Sequence, residues 1–458
     1  PPLTLSEWAD RNYYLSPESA ADPGKWTTIP YQKEPMDCMG DKVTETVTWK
    51  KSARVGYTKC LNAVVGYHID HDPCPIMLVQ PSDPDAEEYS KDEIFPMIRD
   101  CPSVAEKMST PGPGEPQESL TYKPFKGGVL HMVGAHTPKS FRRVSRKVIL
   151  LDEIDGYPLS AGKEGDPLSL AKKRAEYYWD RKYVQGSTPT ISAFSKVDAE
   201  FEKGDQRYYY VPCPHCDEKQ VLKFSNLKWP KGKPEEAKFN CEHCKTLIEY
   251  KHQRWMVENG EWRAHKPENY LRYRHASFHI WQAYSYSPNA SWGQIAKDFT
   301  EAEKGGYEEL KTFVNTVLGE SWKDKGEAPD WQRLYERREL YPIGSVPKGG
   351  LFLTCGVDVQ KHGLIYAVKA WGRGKQSWGV EWGTLVGDPG QATTWKQLDN
   401  LLAHTYKHEN GVDMRINIMA VDSGAFTQSV YNWCRNYPLN RVMAIKGMPR
   451  GSVLLGSP

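Results

Sequence analysis

The chain has no excess of charge of either sign. Its 60 Lys and Arg stand against 58 Asp and Glu, a formal net charge of +2 over 458 residues. Binding to nucleic acid or membrane through an overall field is excluded, so any DNA contact must come from local patches or from metal ions. No apolar run approaches the ~20 residues of a membrane span, and no secretory signal opens the sequence. Cysteine is sparse: four of the ten fall in two C-x-x-C pairs and the rest are scattered. That is the usage of a reducing compartment with a metal site rather than a disulfide framework, so a cytosolic protein is expected. The chain starts Pro1-Pro2 without methionine, and further N-terminal sequence is expected. Aromatics are plentiful, with 16 Trp and 26 Tyr, which argues for ordered cores. The length suits two or three domains.

The first informative stretch is Trp49-Lys50-Lys51-Ser52-Ala53-Arg54-Val55-Gly56-Tyr57-Thr58-Lys59. A β-branched run, Val43–Thr48, that reads as a buried strand precedes it, and Leu61, Val64, Val65 and His68 mark one face of a following helix. Strand, tight turn and helix form a phosphate-binding arrangement, because a helix N-terminus offers unpaired N–H groups to an anion. Against the pattern G-x-x-x-x-G-K-[ST], Gly56 and Thr58 fit, Tyr57 stands at the lysine position and Lys51 replaces the first glycine. Upstream lies Tyr31-Gln32, an aromatic–Gln pair of the kind that contacts adenine in many nucleotide-driven motors; a packed N-terminal arm explains it equally well.

Further strands are expected at Pro75–Gln80 and Val129–Val133. Arg146-Lys147-Val148-Ile149-Leu150-Leu151-Asp152-Glu153 runs four apolar residues into two carboxylates. Strand Lys182–Gln185 ends in Gly186-Ser187-Thr188-Pro189. Strands separated by helices predict a mostly parallel α/β sheet with its active groups at the strands' C-terminal ends. In that setting Asp152 would hold Mg²⁺ through its hydration shell, and Glu153 would orient and deprotonate the attacking water. Ser187 and Thr188 suit a sensor coupling the γ-phosphate state to movement. Lys51 can supply the missing lysine charge from the loop's other end, Thr58 can bind Mg²⁺, and Arg54 can act as an arginine finger in cis. Lys59 is expected to face DNA or solvent.

These residues resemble the ATPase loop of the lambda-type large terminase subunit, the motor-nuclease family that packages DNA into tailed-phage capsids. The resemblance extends to Glu7-Trp8-Ala9-Asp10, Asn12-Tyr13-Tyr14-Leu15, Gly186-Ser187-Thr188-Pro189, Cys213-Pro214-His215-Cys216, Phe278-His279-Ile280-Trp281 and Lys311-Thr312-Phe313-Val314-Asn315-Thr316. It implies an ATP site on Lys51, Ser52, Ala53, Arg54, Val55, Gly56, Tyr57 and Thr58, with Asp152 and Gln32. It also implies double-stranded DNA, a small terminase subunit and the portal of the procapsid as partners, a homo-oligomeric motor, and the host cytoplasm as its place of work.

Cys213-x-x-Cys216 and Cys241-x-x-Cys244 each form a knuckle placing two thiolates on one tetrahedral ion, a strong signal for zinc. The four-thiolate set leaves no open position, so its role is structural, on the order of 10 kcal/mol toward folding a module with little core of its own. His215 and His243 read as bystanders. Lys219, Lys223, Lys228, Lys231 and Lys233 fit either a DNA contact or a solvated surface.

From Leu351 a second pattern begins. Leu351–Asp358 is an apolar strand with an acid near its end, strands follow over 364–371 and 377–386, and a helix over 394–406 leads to Ile416–Asp422, again ending in Asp. Three strands, a helix and a strand, with acids on the first and fourth, form the layout of a ribonuclease-H-like nuclease. Asp358 and Asp422 would share Mg²⁺ or Mn²⁺, two ions about 4 Å apart activating water and stabilising the leaving oxygen. The resembled family has a third acidic residue on a helix beyond the fifth strand. No candidate follows Val442–Ile445, so the C-terminal part of this domain is expected to be missing.

The expected organisation is a P-loop ATPase over 1–204, a zinc ribbon over 205–250, a helical connecting region over 251–345 and an RNase-H-like domain over 346–458. The expected function is ATP-driven packaging of double-stranded DNA with metal-dependent cutting of the concatemer. A translocase or helicase with a non-cutting second domain, and an assembly protein with vestigial ATPase motifs, are the alternatives.

Overall fold

The computed structural model describes residues 2–108, 118–142, 144–192, 194–323 and 338–447. The chain divides into two compact units, residues 1–327 and 328–458, a split ahead of the turn-rich stretch Pro342–Gly350 where the boundary was expected.

The first unit is built on a ten-stranded sheet. Its strands are β1 (Thr46–Lys51), β2 (Ile76–Gln80), β3 (Tyr122–Phe125), β4 (Gly128–Gly134), β5 (Val148–Asp152), β6 (Lys182–Ser187), β7 (Arg207–Pro212) and β8 (Lys219–Val221). A separate three-stranded sheet holds β9 (Leu227–Lys228), β10 (Lys238–Asn240) and β11 (Leu247–Ile248). Then β12 (Glu261–Ala264) and β13 (His275–Ile280) return to the main sheet. Its order is β8-β7-β13-β1-β6-β5-β2-β4-β3, with β12 paired to β7. The seven strands from β7 to β4 run parallel, and β3, β8 and β12 are antiparallel additions at the two sides.

Strands covered on both faces read as continuous apolar runs. β2 and β5 are buried at every position. Ile76, Leu78, Val148 and Leu150 enter one core, while Met77, Val79, Ile149 and Leu151 enter the core on the other face. Burying a side chain of this size contributes about 1.5–3 kcal/mol, so these strands fix the register on which the site depends. Helix α1 (Tyr57–Asp70) follows β1 directly.

Two expectations are corrected here. The region 251–345 is not only helical: β13 lies between β7 and β1 and pairs with β1 over six residues. Its sequence, His275-Ala276-Ser277-Phe278-His279-Ile280, hides the strand behind polar residues that the structure buries with partners. The His275 imidazole meets the Thr48 hydroxyl at 2.7 Å, and Ser277 Oγ donates to the Phe201 carbonyl. The ribbon over 205–250, expected to be a small module with little core of its own, is joined to the main sheet through β7 and β8. Phe239 of β10 packs on Trp281 and Trp292 within the same core as β1.

In the second unit β14 (Ser345–Val346), β15 (Phe352–Gln360), β16 (Gly363–Trp371), β17 (Ser377–Val386), β18 (Thr405–His408), β19 (Asp413–Asp422) and β20 (Val442–Ile445) form one sheet of order β14-β18-β19-β15-β16-β17, with β20 also on β19. β15, β16 and β17 are antiparallel, whereas β19 is parallel to β15 and β20. Leu353, Cys355, Val357 and Val359 alternate into a core shared with Trp395, Leu398 and Leu402 of the helix Ala392–Ala403. The intervening residues of β15 face the uncovered side. The stretch after Gly447, where the third carboxylate was sought, lies outside the described residues.

Candidate nucleotide site, metal centre and acidic pair

The phosphate loop is the turn between β1 and α1. Arg54 and Gly56 both take left-handed backbone, φ 64° and 84°, which curls Arg54–Thr58 so that the helix begins at Tyr57. The amides divide into two groups. Ser52 N–H donates to the Ile280 carbonyl (3.0 Å) and Ala53 N–H to the Thr316 carbonyl (2.8 Å), so both face the protein. The N–H groups of Arg54, Val55, Gly56, Tyr57 and Thr58 have no acceptor among the described residues. Five free amides at a helix N-terminus form an anion cradle.

Lys51, at the end of β1, is nearly buried, and its Nζ lies 2.6 Å from Glu153 Oε1 and 5.4 Å from the centre of the Tyr57 ring. Tyr57 fills the usual lysine position by turning inward against Trp49, with its hydroxyl donating to the Leu151 carbonyl. Gly186 makes this fit: a Cβ there would stand 2.5 Å from the Tyr57 ring. Lys59 contradicts the expectation that it faces DNA or solvent. It forms a half-buried 2.6 Å ion pair with Glu93, which also accepts from Asn62.

Across the loop, β5 delivers two carboxylates with different fates. Asp152 is buried, one oxygen accepting from Gln80 (3.1 Å) and Oδ1 having no partner. Burial, then the neighbouring Glu153, pushes its carboxyl up to about 6. A buried oxygen left orphaned beside the anion cradle fits a bound cation. Glu153 takes left-handed backbone (φ 48°), a strained conformation of the kind that clusters at functional sites. Its Oε2 accepts from the Ser187 hydroxyl (3.0 Å) and the Thr188 N–H (3.2 Å), so the turn after β6 touches this glutamate directly.

Tyr31 and Gln32 do not project into open space. The Gln32 side chain accepts from Ile29 N–H and donates to the Val55 carbonyl (both 3.0 Å), and the Tyr31 hydroxyl donates to the same carbonyl. They brace the loop from below, which favours the packed-arm explanation. Beside them opens a cleft of about 690 Å³ lined by Trp26, Gln32, Arg54, Gly56, Ser285 and Tyr286. Arg54 lies along it, its guanidinium donating to the Asn289 carbonyl (3.0 Å), without contact to Asp152 or Glu153 among the described residues. Asn289 and Ser285 were missed in the sequence, and Gln80 and Thr316 were given no part in the site, because only folding brings them to it.

Cys213, Cys216, Cys241 and Cys244 bring their sulfurs within 4.8 Å of one another, with Sγ–Sγ distances of 3.9 Å for 213–244 and for 216–241. Zn–S bonds of about 2.3 Å place tetrahedral sulfurs about 3.8 Å apart, so the set fits zinc. The two knuckles repeat each other: His215 and His243 direct N–H groups at Cys213 and Cys241, and Asp217 and Lys245 both turn left-handed. Cys213 follows β7 of the main sheet and Cys241 follows β10 of the small one, so an ion here cross-links two sheets. Lys219, Lys223 and Lys233 are paired with Glu261, Glu242 and Glu236.

In the second unit Val357 of β15 lies opposite Val421 of β19, so Asp358 and Asp422 stand side by side one residue on, both away from the core. Asp358 accepts from Gln360 and Asp422 from the Gly424 N–H. Glu381 is on the other face, held by the Tyr366 and Tyr406 hydroxyls. Among the described residues no third acid joins the pair.

Comparison with known proteins places both units. Residues 20–262 match the ATPase domain of the phage terminase large subunit gpA, and residues 275–458 match its endonuclease domain. The chain is 36% identical to the terminase large subunit of Enterobacteria phage P21 and 34% identical to that of Escherichia phage lambda, in each case over 97% of this chain and 72% of the relative. The crystal structure of the HK97 bacteriophage large terminase aligns over 96% of this chain and 84% of its own at 13% identity, with a TM-score of 0.49. Among the described residues no helix is long and apolar enough to cross a membrane. ATP, a divalent metal and DNA are what these two domains are expected to use. The chain belongs to the lambda-type terminase large subunits, with an ATPase domain and an endonuclease domain that package and cut DNA.

Proposed function

We propose that the first unit hydrolyses ATP with Lys51 as the phosphate-binding cation and Glu153 as the base. The observation that carries this reading is the Lys51–Glu153 ion pair above five free amides. An arriving polyphosphate competes with Glu153 for Lys51. Once Lys51 turns to phosphate, Glu153 keeps its bonds to Ser187 and Thr188, and its Oε1 is free to take a proton from water. Asp152 and the Thr58 hydroxyl are the groups to hold Mg²⁺, which neutralises phosphate charge when bound. Arg54, released from Asn289, supplies positive charge to the transferred group, and Ser187 and Thr188 report the state of Glu153 to the chain beyond. The ATPase then extends at least through residue 280, because β13 belongs to its sheet, as do β7 and β8 on either side of Cys213 and Cys216.

In the second unit Asp358 and Asp422 are the first two ligands for Mg²⁺ or Mn²⁺ in phosphodiester cleavage. The four cysteines hold a structural zinc. The partners that fit this reading are double-stranded DNA, a small terminase subunit that selects the start site, and the portal of the procapsid in the host cytoplasm, with several copies forming the motor. Glu153→Gln keeps the shape of the site and removes the base. Steady-state ATP hydrolysis should fall about 10²–10⁴-fold while nucleotide binding persists; hydrolysis within twofold of wild type would refute the assignment.

A further inference from the structure

Residues Asn315–Trp322, the end of the helix that starts at Tyr307 and the turn after it, make contacts that the ATPase roles above leave unused. At one end the Thr316 carbonyl accepts the Ala53 N–H of the phosphate loop at 2.8 Å. Gly319, at φ 63°, presses so close to that loop that a Cβ would stand 2.7 Å from Ser52 N, and its carbonyl meets His279 Nε2 at 3.1 Å. At the other end Trp322 forms a short parallel bridge with the chain after β6: its N–H donates to the Thr190 carbonyl (2.8 Å) and its carbonyl accepts Ser192 N–H (3.0 Å). Asn315 folds the segment on itself, its Oδ1 accepting the same Trp322 N–H at 3.1 Å.

Thr190 is also tied to the carboxylate loop. Its N–H and hydroxyl both donate to Asp155 at 2.8 Å, and two residues earlier the Thr188 N–H holds Glu153. Besides the Tyr57–Leu151 bond and the β1–β6 pairing, the phosphate loop and the Glu153 loop are joined directly by Lys51–Glu153 and indirectly through Asn315–Trp322. Turnover must break the direct tie, because Lys51 is needed by phosphate. The indirect tie runs through backbone bonds at Ala53, Trp322 and Thr190 and through the Asp155 carboxylate, and does not use Lys51. Displacing a reacting group by about 1 Å can cost 10²-fold in rate, so whatever fixes the two loops when Lys51 leaves controls turnover.

We infer that Asn315–Trp322 is a strap that sets Glu153 against the phosphate loop while Lys51 is on nucleotide, with Asn315 its positioning residue. This rests on the reading of Glu153 as the base. In the full chain, Asn315→Ala lowers kcat for ATP about tenfold with KM within twofold of wild type, and Asn315→Asp, which keeps an acceptor oxygen, restores at least half of the rate. In wild type, amides of 315–322 exchange hydrogen more slowly with ADP–beryllium fluoride than with ADP. Wild-type kcat in Asn315→Ala, a loss that Asn315→Asp does not repair, or identical exchange in the two nucleotide states overturns the strap. Glu153→Gln run alongside separates the two ideas: if it hydrolyses ATP normally, the underlying assignment is what fails.

Discussion

The two acidic sites of this chain are built in opposite ways. In the first unit Glu153 is held by Lys51, Ser187 and Thr188, and Asp152 is sealed beneath it with one oxygen orphaned. In the second unit Asp358 and Asp422 sit on the uncovered face of a sheet, each with one short-range hydrogen bond. The first site is fixed by protein hydrogen bonds. The second places two carboxylates by strand register alone and depends on what binds to them. A site can thus be fixed by packing around it or by the sheet beneath it, and the two should respond differently to the same kinds of damage.

The sharpest contrast comes from removing a carboxylate of the exposed pair. Asp358→Ala or Asp422→Ala should reduce plasmid nicking in Mn²⁺ or Mg²⁺ by at least about 10³-fold, the scale of losing a metal-held water, with ATP hydrolysis within twofold of wild type. Loss of ATPase with nicking intact would reverse the comparison. Next are the four cysteines, where a zinc ion would join two sheets of the first unit. Metal analysis should find one zinc per chain, and Cys213→Ser with Cys241→Ser should lower the melting temperature of the first unit by about 10 °C or more while the second unit melts unchanged. A smaller effect comes from the polar network around Glu200. Burial raises the Glu200 carboxyl, but Lys172, with Lys203 and Gln185, outweighs it and brings it down to about 2. A carboxylate lowered by folding stabilises above its unfolded value near 4.5, and that contribution is lost as pH falls through about 2. Glu200→Gln should therefore cost about 3 kcal/mol at pH 7 and progressively less below pH 4 in denaturant melts; a cost that does not change with pH would exclude the charge as its source.

How much of this was legible in the sequence follows the same divide. β5 announces itself because a strand buried on both faces reads as a continuous apolar run, and Asp152 and Glu153 at its end stand out against Val148–Leu151. Asp358 and Asp422 stood out differently, as acids near the ends of strands that alternate between a buried and an exposed face. The strand β13 was not legible, since its His275 and Ser277 are buried with partners that only the fold supplies. Tyr31 and Gln32 fitted a nucleotide contact and a packed arm equally well by residue type, and only the fold shows their bonds to Ile29 and Val55. Lys59 misled in the other direction: Glu93, thirty-four residues on, lies on a π-helical turn whose position no local pattern reveals. Asn315 and Thr316 were visible only as part of a motif, because their partners Trp322 and Ala53 are set by tertiary packing.

The central claim is that the phosphate-site lysine sits at the end of β1 rather than at the start of α1. Steady-state ATP hydrolysis by Lys51→Ala and Lys59→Ala, measured side by side with DNA present, tests it most directly. Lys51→Ala should lose about 10²–10³-fold in kcat, the cost of removing one preorganised charge from a developing transition state, and Lys59→Ala should stay within about threefold. Near-normal turnover in Lys51→Ala, or a loss confined to Lys59→Ala, would contradict the account.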